Sequence, residues 1–592
     1  MESPTSAQPD TSNKLTVERR VAFLRSIEEL LHTFTPGERM VLYGLTIIMC
    51  LSALAIIAGV NRSVSVNVPA PGGRLTEGVT GPARFINPVL AMSDADEDLT
   101  ALVYSGLTRP LSDGRYVPDL ASTYNVSEDG TTYTFTIRPD AKFQDGTAVT
   151  SADVVYTVAQ AQNPAIKSSR RADWEGVTVS APDSRTVVFK LPKSYGPFLE
   201  DTSMGILPQH LWKDTTAEEF PFSPLNTHPV GSGAYKVSSV ETDASGAPVR
   251  YTLVPFGKFT LGTPYLKSIS LIFYPNEEAK IAAFNGHEVD AIAGVAPEKL
   301  SALKRTDTQT ITVPLPRVFG IFFNQGHAAV FADAAVRSAL TNAVDKDRLI
   351  NLVLSGYGVP LDSPMLPLTA PVGSTTPGTI STAYTQETIA DARNILQKGG
   401  WKFDETAGTW TKNKQTLTFT LTTADTPELV KTADAVATAW RQAGAKVSVQ
   451  VFPISELNTN ILRPRNYDAV LFGEVVGRSL DLFAFWHSSQ RNDPGLNLSL
   501  YANSKADTLL SQARATTDKR ERDKLYSQFA DILKKDQPAV FLYAPEFVYV
   551  VPTGLRGIAL GSLTLPSDRF LSVYSWYTDT ERVWSIFTNK SE

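Results

Sequence analysis

Residues 40–60 read MVLYGLTIIMCLSALAIIAGV, an apolar run from Met40 to Val60 with no charge in 21 positions. At about 1.5 Å per residue, such a helix is roughly 30 Å long, the thickness of a hydrocarbon core. The run therefore predicts a single membrane-spanning helix, with a cytoplasmic tail over residues 1–39 and an extended linker over residues 61–80, where Val, Pro, Gly and Ser are frequent. Lys14, Arg19, Arg20, Arg25 and Arg39 precede the run and only Arg62 follows closely. The positive-inside bias puts the N-terminus in the cytoplasm and the remaining ~530 residues outside. A cleaved leader is disfavoured, because 39 residues come first and no small-x-small site stands out. Within the tail, Val21, Leu24, Ile27, Leu30 and Leu31 recur at helical spacing. That stretch either lies on the membrane face or is a short solvated helix.

Beyond residue 80 the pattern alternates between periods of 2 and 3.6. TTYTFTIR, residues 131–138, places Tyr133, Phe135 and Ile137 on one face of a strand. Residues 417–421 alternate likewise, then come a helical stretch to Ala443, a turn at Gly444 and an alternating strand at Val447, Val449 and Val451. This is a β-α-β unit. Residues 333–354 (Val336, Ala339, Leu340, Ala343, Val344) and 519–534 (Leu525, Phe529, Ile532, Leu533) carry helical apolar stripes. The fold class is α/β, and 592 residues are too many for one core.

Composition then narrows the chemistry. A net charge of −6, spread without long runs, argues against nucleic acid as a partner. A single cysteine, Cys50, excludes an internal disulfide, and Met49 before it does not suit a lipoprotein site. No nucleophile elbow, zinc-protease motif, phosphate loop or dinucleotide fingerprint is present. The histidines His32, His210, His228, His287, His327 and His487 lack metal-ligand spacing, so neither a metal nor another cofactor is expected. Asp94, Asp96 and Asp98 imitate a calcium loop, but Leu99 stands where its glycine belongs and Ser105 where its glutamate belongs. They read instead as an acidic N-terminal turn before a helix at Leu99 to Tyr104.

SEDGTTYTFTIRPDAKFQDGTAVTSADVVYTV, residues 127–158, combines an acidic-Gly turn, an aromatic strand, a basic residue, Phe, Asp-Gly-Thr and Ala-Asp-Val. On this stretch above all, the body, residues 83–577, resembles the family 5 extracellular solute-binding proteins, the peptide, dipeptide and nickel receptors of ABC importers. Other stretches follow in order: LVYSGL at 102–107, DGRYVPDLA at 113–121, PVGSGAY at 229–235, NGHEVD at 285–290, Phe323-Asn324, GGW at 399–401, YDA at 467–469 and PAVFLY at 538–543. The signature stretch also reads as plain structure: Asp145-Gly146-Thr147 is a tight turn, and Thr150 with Asp153 starts a helix. It identifies a scaffold rather than a site.

The resemblance implies a type II periplasmic-binding-protein-like fold of two large lobes and a small extra domain. Lobe I combines residues 81–110, 199–305 and 550–592, the small domain is 111–198, and lobe III is 306–549. A hinge near residues 305 and 549 closes the lobes on the ligand. The partners implied are a peptide or other small polar solute and the permease subunits of an ABC importer, and no catalytic group is implied. Candidate ligand contacts are Ser93, Asp94, Asn324, Gly473, Glu474, Arg478, Asp481 and Trp486. For the acids and Arg478 a surface ion-pair cluster competes with ligand contact, and for Trp486 a core role competes. A ligand-sensing or envelope scaffold module that signals through the membrane helix and a carboxylate hydrolase remain open alternatives. The resemblance also places Gly477 where peptide-binding relatives carry an aspartate for the ligand's α-amino group, so free-amino peptides are expected to bind weakly or to depend on Asp481, with Glu474 the other candidate, and a non-peptide ligand stays open.

Overall fold

The computed structural model describes residues 33–366, 386–477, 480–561 and 563–587. The amphipathic stretch at 17–31 and Arg478 lie outside them. The chain divides into two units, residues 1–70 with 580–592, and residues 71–579.

In the first unit, a helix runs Pro36–Val64, starting from Thr35, whose side chain accepts from the Glu38 N–H while the Glu38 carboxylate accepts from the Thr35 N–H. Its Pro36–Asn61 portion is long and apolar enough to cross a membrane, and none of its most apolar stretch is buried against protein. Residues 61–80 are not the linker expected. The helix continues to Val64, Ser65–Ala70 is a strand, and Gly72–Thr80 is an interior strand of the large sheet. Composition misled here because Gly72–Thr80 pairs in parallel with Leu266–Tyr274, a long-range partner that local sequence does not reveal.

In the second unit the main sheet is continuous. Its hydrogen-bonded path runs Lys446–Phe452, Thr418–Ala424, Ala469–Val475, Arg317–Phe323, Ala539–Pro552, Ala291–Ala293, Gly72–Thr80, Leu266–Tyr274, Pro248–Pro255 and Tyr235–Thr242. The β-α-β unit forms as predicted: Thr418–Ala424 and Lys446–Phe452 are parallel and joined by the helix Pro427–Ala443. The expected helix at 333–354 is instead two, Ala334–Asn342 and Lys346–Leu354. Asp345 breaks the run because its side chain caps the second helix at the Arg348 N–H. The signature strand Thr132–Ile137 lies in a separate antiparallel sheet with Ala121–Val126, Thr186–Lys190 and Thr178–Ser180.

Two large cores meet where the long strand Ala539–Pro552 passes from one to the other. One is built from Val318 to Ala544, the other from Leu75 to Leu315 and Phe547 to Trp576, including Tyr133 and Phe135 of the small sheet. Residues 316–317 and 545–546 belong to neither. Before the passage the strand pairs with Arg317–Phe323, and after it with Thr308–Pro314, and the Leu315 N–H bonds the Pro545 carbonyl between them. The passage is a two-strand crossing ringed by prolines 314, 316 and 545.

One buried ion network fixes the second core. Arg569 donates to Glu77 at 2.6 and 3.0 Å and to both oxygens of Asp98 at 2.6 Å. The Tyr549 hydroxyl donates to the other Glu77 oxygen at 2.7 Å. Burial pushes the Asp98 carboxyl up to about 6 even against the attraction of Arg569. Removing the guanidinium strands two buried carboxylates, which typically costs about 3–5 kcal/mol. Arg569→Met should therefore lower the unfolding free energy by about that amount in denaturant titration. Adding Glu77→Gln and Asp98→Asn should recover part of the loss. An Arg569→Met protein as stable as the wild type would contradict this reading of the network.

Candidate ligand-binding cleft

The strand Ala469–Val475 runs antiparallel to Arg317–Phe323, so Gly473 faces Phe319 and Val475 faces Arg317, next to the crossing. Gly473 has a steric reason to be glycine. A Cβ there would approach the Phe319 ring to 2.8 Å, and that ring stacks on Tyr543 with centroids 5.3 Å apart. Glu474 follows and is only 2% exposed. Neither of its carboxylate oxygens has a hydrogen-bond partner among the described residues. Burial raises its pKa well above the carboxylate range; the Trp486 indole opposes the rise without reaching hydrogen-bond geometry. Trp486 itself is a core residue, packed against Phe541, Phe322 and Tyr501.

The loop after this strand reaches residues of the other core. Gly477 has a φ of 64°, and a Cβ on it would lie 3.9 Å from an Oε1 of Glu200. Asp481 pairs with Arg514 at 3.1 Å through one oxygen, while its Oδ1 is buried without a partner. The Arg514 guanidinium lies between Phe483 (4.6 Å) and Tyr195 (5.4 Å), the latter from the opposite side. Further ties join the sides here: the Gly196 N–H bonds the Arg514 carbonyl at 2.8 Å, and the Ser194 hydroxyl bonds the Ala515 carbonyl at 2.8 Å.

An acidic seam forms where the two sides meet. Asp201, on the short helix Phe198–Asp201, has its Oδ2 buried and unpartnered. Its pKa is raised well above the usual range, first by burial and then by Asp173, Glu200 and Asp481, with Arg170 opposing. Asp481 is raised too, by burial foremost, with Arg514 opposing and Glu200 adding to the rise. Behind the seam a polar cavity of about 150 Å³ is lined by Glu97, Thr100, Arg109, Arg170, Glu200 and Asp568, among others. Burial pushes Glu97 up to about 7 against the attraction of Arg170. Hydroxyls of Thr100, Tyr104 and Ser105, all lining this cavity, are buried without partners. Such an arrangement favours an occupant that brings positive charge or hydrogen-bond donors and acceptors.

The residues singled out from sequence thus separate. Gly473, Glu474 and Asp481 gather beside the crossing and the seam. Asn324 sits at the far end of its strand, about 20 Å away at strand rise. There its amide donates to the Arg465 carbonyl and its oxygen accepts from the Gly326 and His327 N–H groups, which shapes a turn. Ser93 caps the helix Asp94–Val103 by accepting from the Asp96 N–H. Asp94 is exposed on a different cavity, about 260 Å³, shared with Asp98, Glu277, Lys280, Phe547 and Arg569. Arg170, Asp173, Tyr195, Asp201 and Arg514 were not foreseen, since they come from segments that only the fold brings together.

The profile of the bacterial extracellular solute-binding proteins, family 5, middle region, matches residues 115–497. The chain belongs to this family. It is 27% identical over 531 residues to the oligopeptide-binding protein AppA of Bacillus subtilis, covering 86% of this chain and 96% of that one. It is 24% identical to the probable D,D-dipeptide-binding periplasmic protein DdpA of Escherichia coli, again covering 86% and 96%. The solved AppA structure, in complex with a nonapeptide, superposes with a TM-score of 0.60 at 25% identity over 86% of this chain and 99% of that one. The unliganded open form of the murein tripeptide binding protein MppA superposes at 0.71 over 87% and 99%, with 20% identity, and so speaks to fold alone. The type II periplasmic-binding fold of the family members is the fold of this chain.

The Glu97 shift has a sign that can be checked. Its folded pKa, about 7, lies above the ordinary 4.5, so the folded state holds the proton more tightly than the unfolded chain. Stability from this group is fully present below pH 4.5 and is lost as pH rises through about 7. Glu97→Gln removes the loss. The melting temperature of the variant should gain on that of the wild type by about 2–4 °C between pH 5 and pH 8. A gap that does not change with pH would contradict the buried, proton-holding state of Glu97.

Proposed function

We propose that this chain is the membrane-anchored, extracytoplasmic substrate-binding subunit of an ABC importer and that it captures a small cationic solute or a peptide with a free amino group between its lobes. The observation that carries this reading is the acidic seam. Asp201 and Asp481 approach from opposite sides of the interface, each with a buried carboxylate oxygen that has no hydrogen-bond partner among the described residues. A cationic group seated between them supplies what closure otherwise lacks, so closing and binding become one event. The crossing at residues 316–317 and 545–546 is the place we assign to the hinge, slightly displaced from residues 305 and 549. Lobe I with the small domain then lies on one side of it and lobe III on the other. No residue is required to react, and release to the permease follows reopening.

In this reading the Pro36–Asn61 helix is the anchor, with its basic N-terminal flank in the cytoplasm and the body outside. Peptide specificity agrees with the names of AppA and DdpA, while Gly477 removes the acid that peptide-binding relatives carry there. The seam moves that task to Asp481 and Asp201.

Calorimetry with a mixed library of free-amino peptides at pH 7.5 tests the assignment. Wild type should bind, and Asp201→Asn and Asp481→Asn should each weaken binding by about tenfold or more, equivalent to ~1.4 kcal/mol. N-acetylation of the library should have a similar effect. Equal affinity for wild type and both variants would contradict the seam as the ammonium site.

A further inference from the structure

The membrane-proximal unit holds a feature that solute capture does not use. The helix Pro36–Val64 loses its apolar character at Asn61, the first polar side chain after the charge-free run ending at Val60. The strand that follows it, Ser65–Ala70, pairs with the C-terminal strand Asp579–Trp584. This ribbon brings the end of the chain back to the end of the helix. There the Trp584 indole N–H donates to the Asn61 side-chain oxygen at 2.6 Å. Trp584 is nevertheless 50% exposed, and Ile586, in the short turn Ser585–Phe587, is 76% exposed. Beside them the helix leaves Ile56, Ile57 and Val60 more than half exposed. The charges of the returning strand, Asp579, Glu581 and Arg582, all come before Trp584.

We propose that Trp584 and Ile586 form a second membrane contact, seated in the headgroup–acyl boundary of the outer leaflet next to the end of the helix. The inference rests on the reading of Pro36–Asn61 as a membrane anchor. Depth is set by Asn61: a group bonded to its side chain lies at the level where the hydrocarbon span ends. Tryptophan suits that level, because its ring is apolar while its N–H needs a partner, and here Asn61 supplies the partner within the protein. The lipid is the occupant the surroundings favour, since the exposed ring is bonded at the end of the bare apolar helix and exposed Ile586 follows it two residues on. Both covalent connections to residues 71–579, at Ala70 and at Asp579, then leave one lipid-seated ribbon rather than a single tether.

The test uses the full chain reconstituted in phosphatidylethanolamine–phosphatidylglycerol vesicles, in a Cys50→Ser background. An environment-sensitive NBD label is placed in turn at Ile586→Cys, at Leu54→Cys within the helix, and at Ser245→Cys on an exposed turn of the body. Lipids with a doxyl group at acyl carbon 5 should quench the Ile586 and Leu54 labels about twofold or more and leave the Ser245 label unchanged. A quenched Leu54 label with an unquenched Ile586 label overturns this inference and leaves the anchor standing. If neither is quenched, the anchor reading fails and the inference falls with it. A blue-shifted but unquenched Ile586 label means that protein covers the turn, and that also overturns the inference. Trp584→Ser should reduce quenching at Ile586 and leave Leu54 as it was.

Discussion

The guanidinium of Arg569 joins segments up to 492 positions apart. Glu77 comes from the strand Gly72–Thr80, Asp98 from the helix Asp94–Val103 and Tyr549 from the strand that crosses between cores. Burying this many ionised groups is costly, and the arrangement holds because the geometry leaves little unpaired. Both nitrogen faces of the fork are used, both oxygens of Asp98 are taken, and Tyr549 satisfies the Glu77 oxygen that Arg569 does not reach. Phe570 closes over the cation at 4.1 Å. The discontinuous segments of this core have no disulfide to hold them, so the network is a main long-range tie. It also sets where the crossing strand leaves the core, four residues before Tyr549.

The cleft uses the opposite principle. Around Asp201, Asp481 and Glu474 the chain buries carboxylates and leaves oxygens without partners. In a finished core that would be a defect of one or more kcal/mol per group. In the proposed function, next to the two-strand crossing, it becomes a reason for the lobes to meet well only when a guest is present. Buried acid is thus satisfied around Arg569 and, among the described residues, unsatisfied where that proposal seats the guest.

Much of the scaffold was legible before any coordinates. Tyr133, Phe135 and Ile137 alternate because one face of their strand is buried, and the stripe of Pro427–Ala443 faces its sheet. The acidic run Asp94 to Asp98 signals a helix N-terminus, although the helix includes it, starting at Asp94 rather than Leu99, and nothing local shows that Asp98 meets Arg569 across the domain. The helix at 333–354 was drawn through Asp345 because apolar spacing continues across the break, and only the capping bond reveals the restart. The region 473–486 is singled out through family resemblance; in the fold Gly473 and Glu474 lie beside the crossing, while Asp481 lies against Arg514. Asn324 was named by the same route yet shapes a turn at the other end of its strand. The rest of the seam was invisible, because Arg170 and Asp201 on one side and Arg514 on the other come from separate segments that only the fold brings together, a proximity that has no sequence period.

The central claim is that the interface between the lobes takes a positively charged guest. Native mass spectrometry of the full chain, purified gently in detergent without added ligand and then stripped at acid pH, tests it directly. The account predicts a retained guest that carries at least one basic group and whose occupancy collapses in an Asp201→Asn, Asp481→Asn double variant. A guest that is purely anionic or apolar, or one retained equally by the double variant, would contradict it.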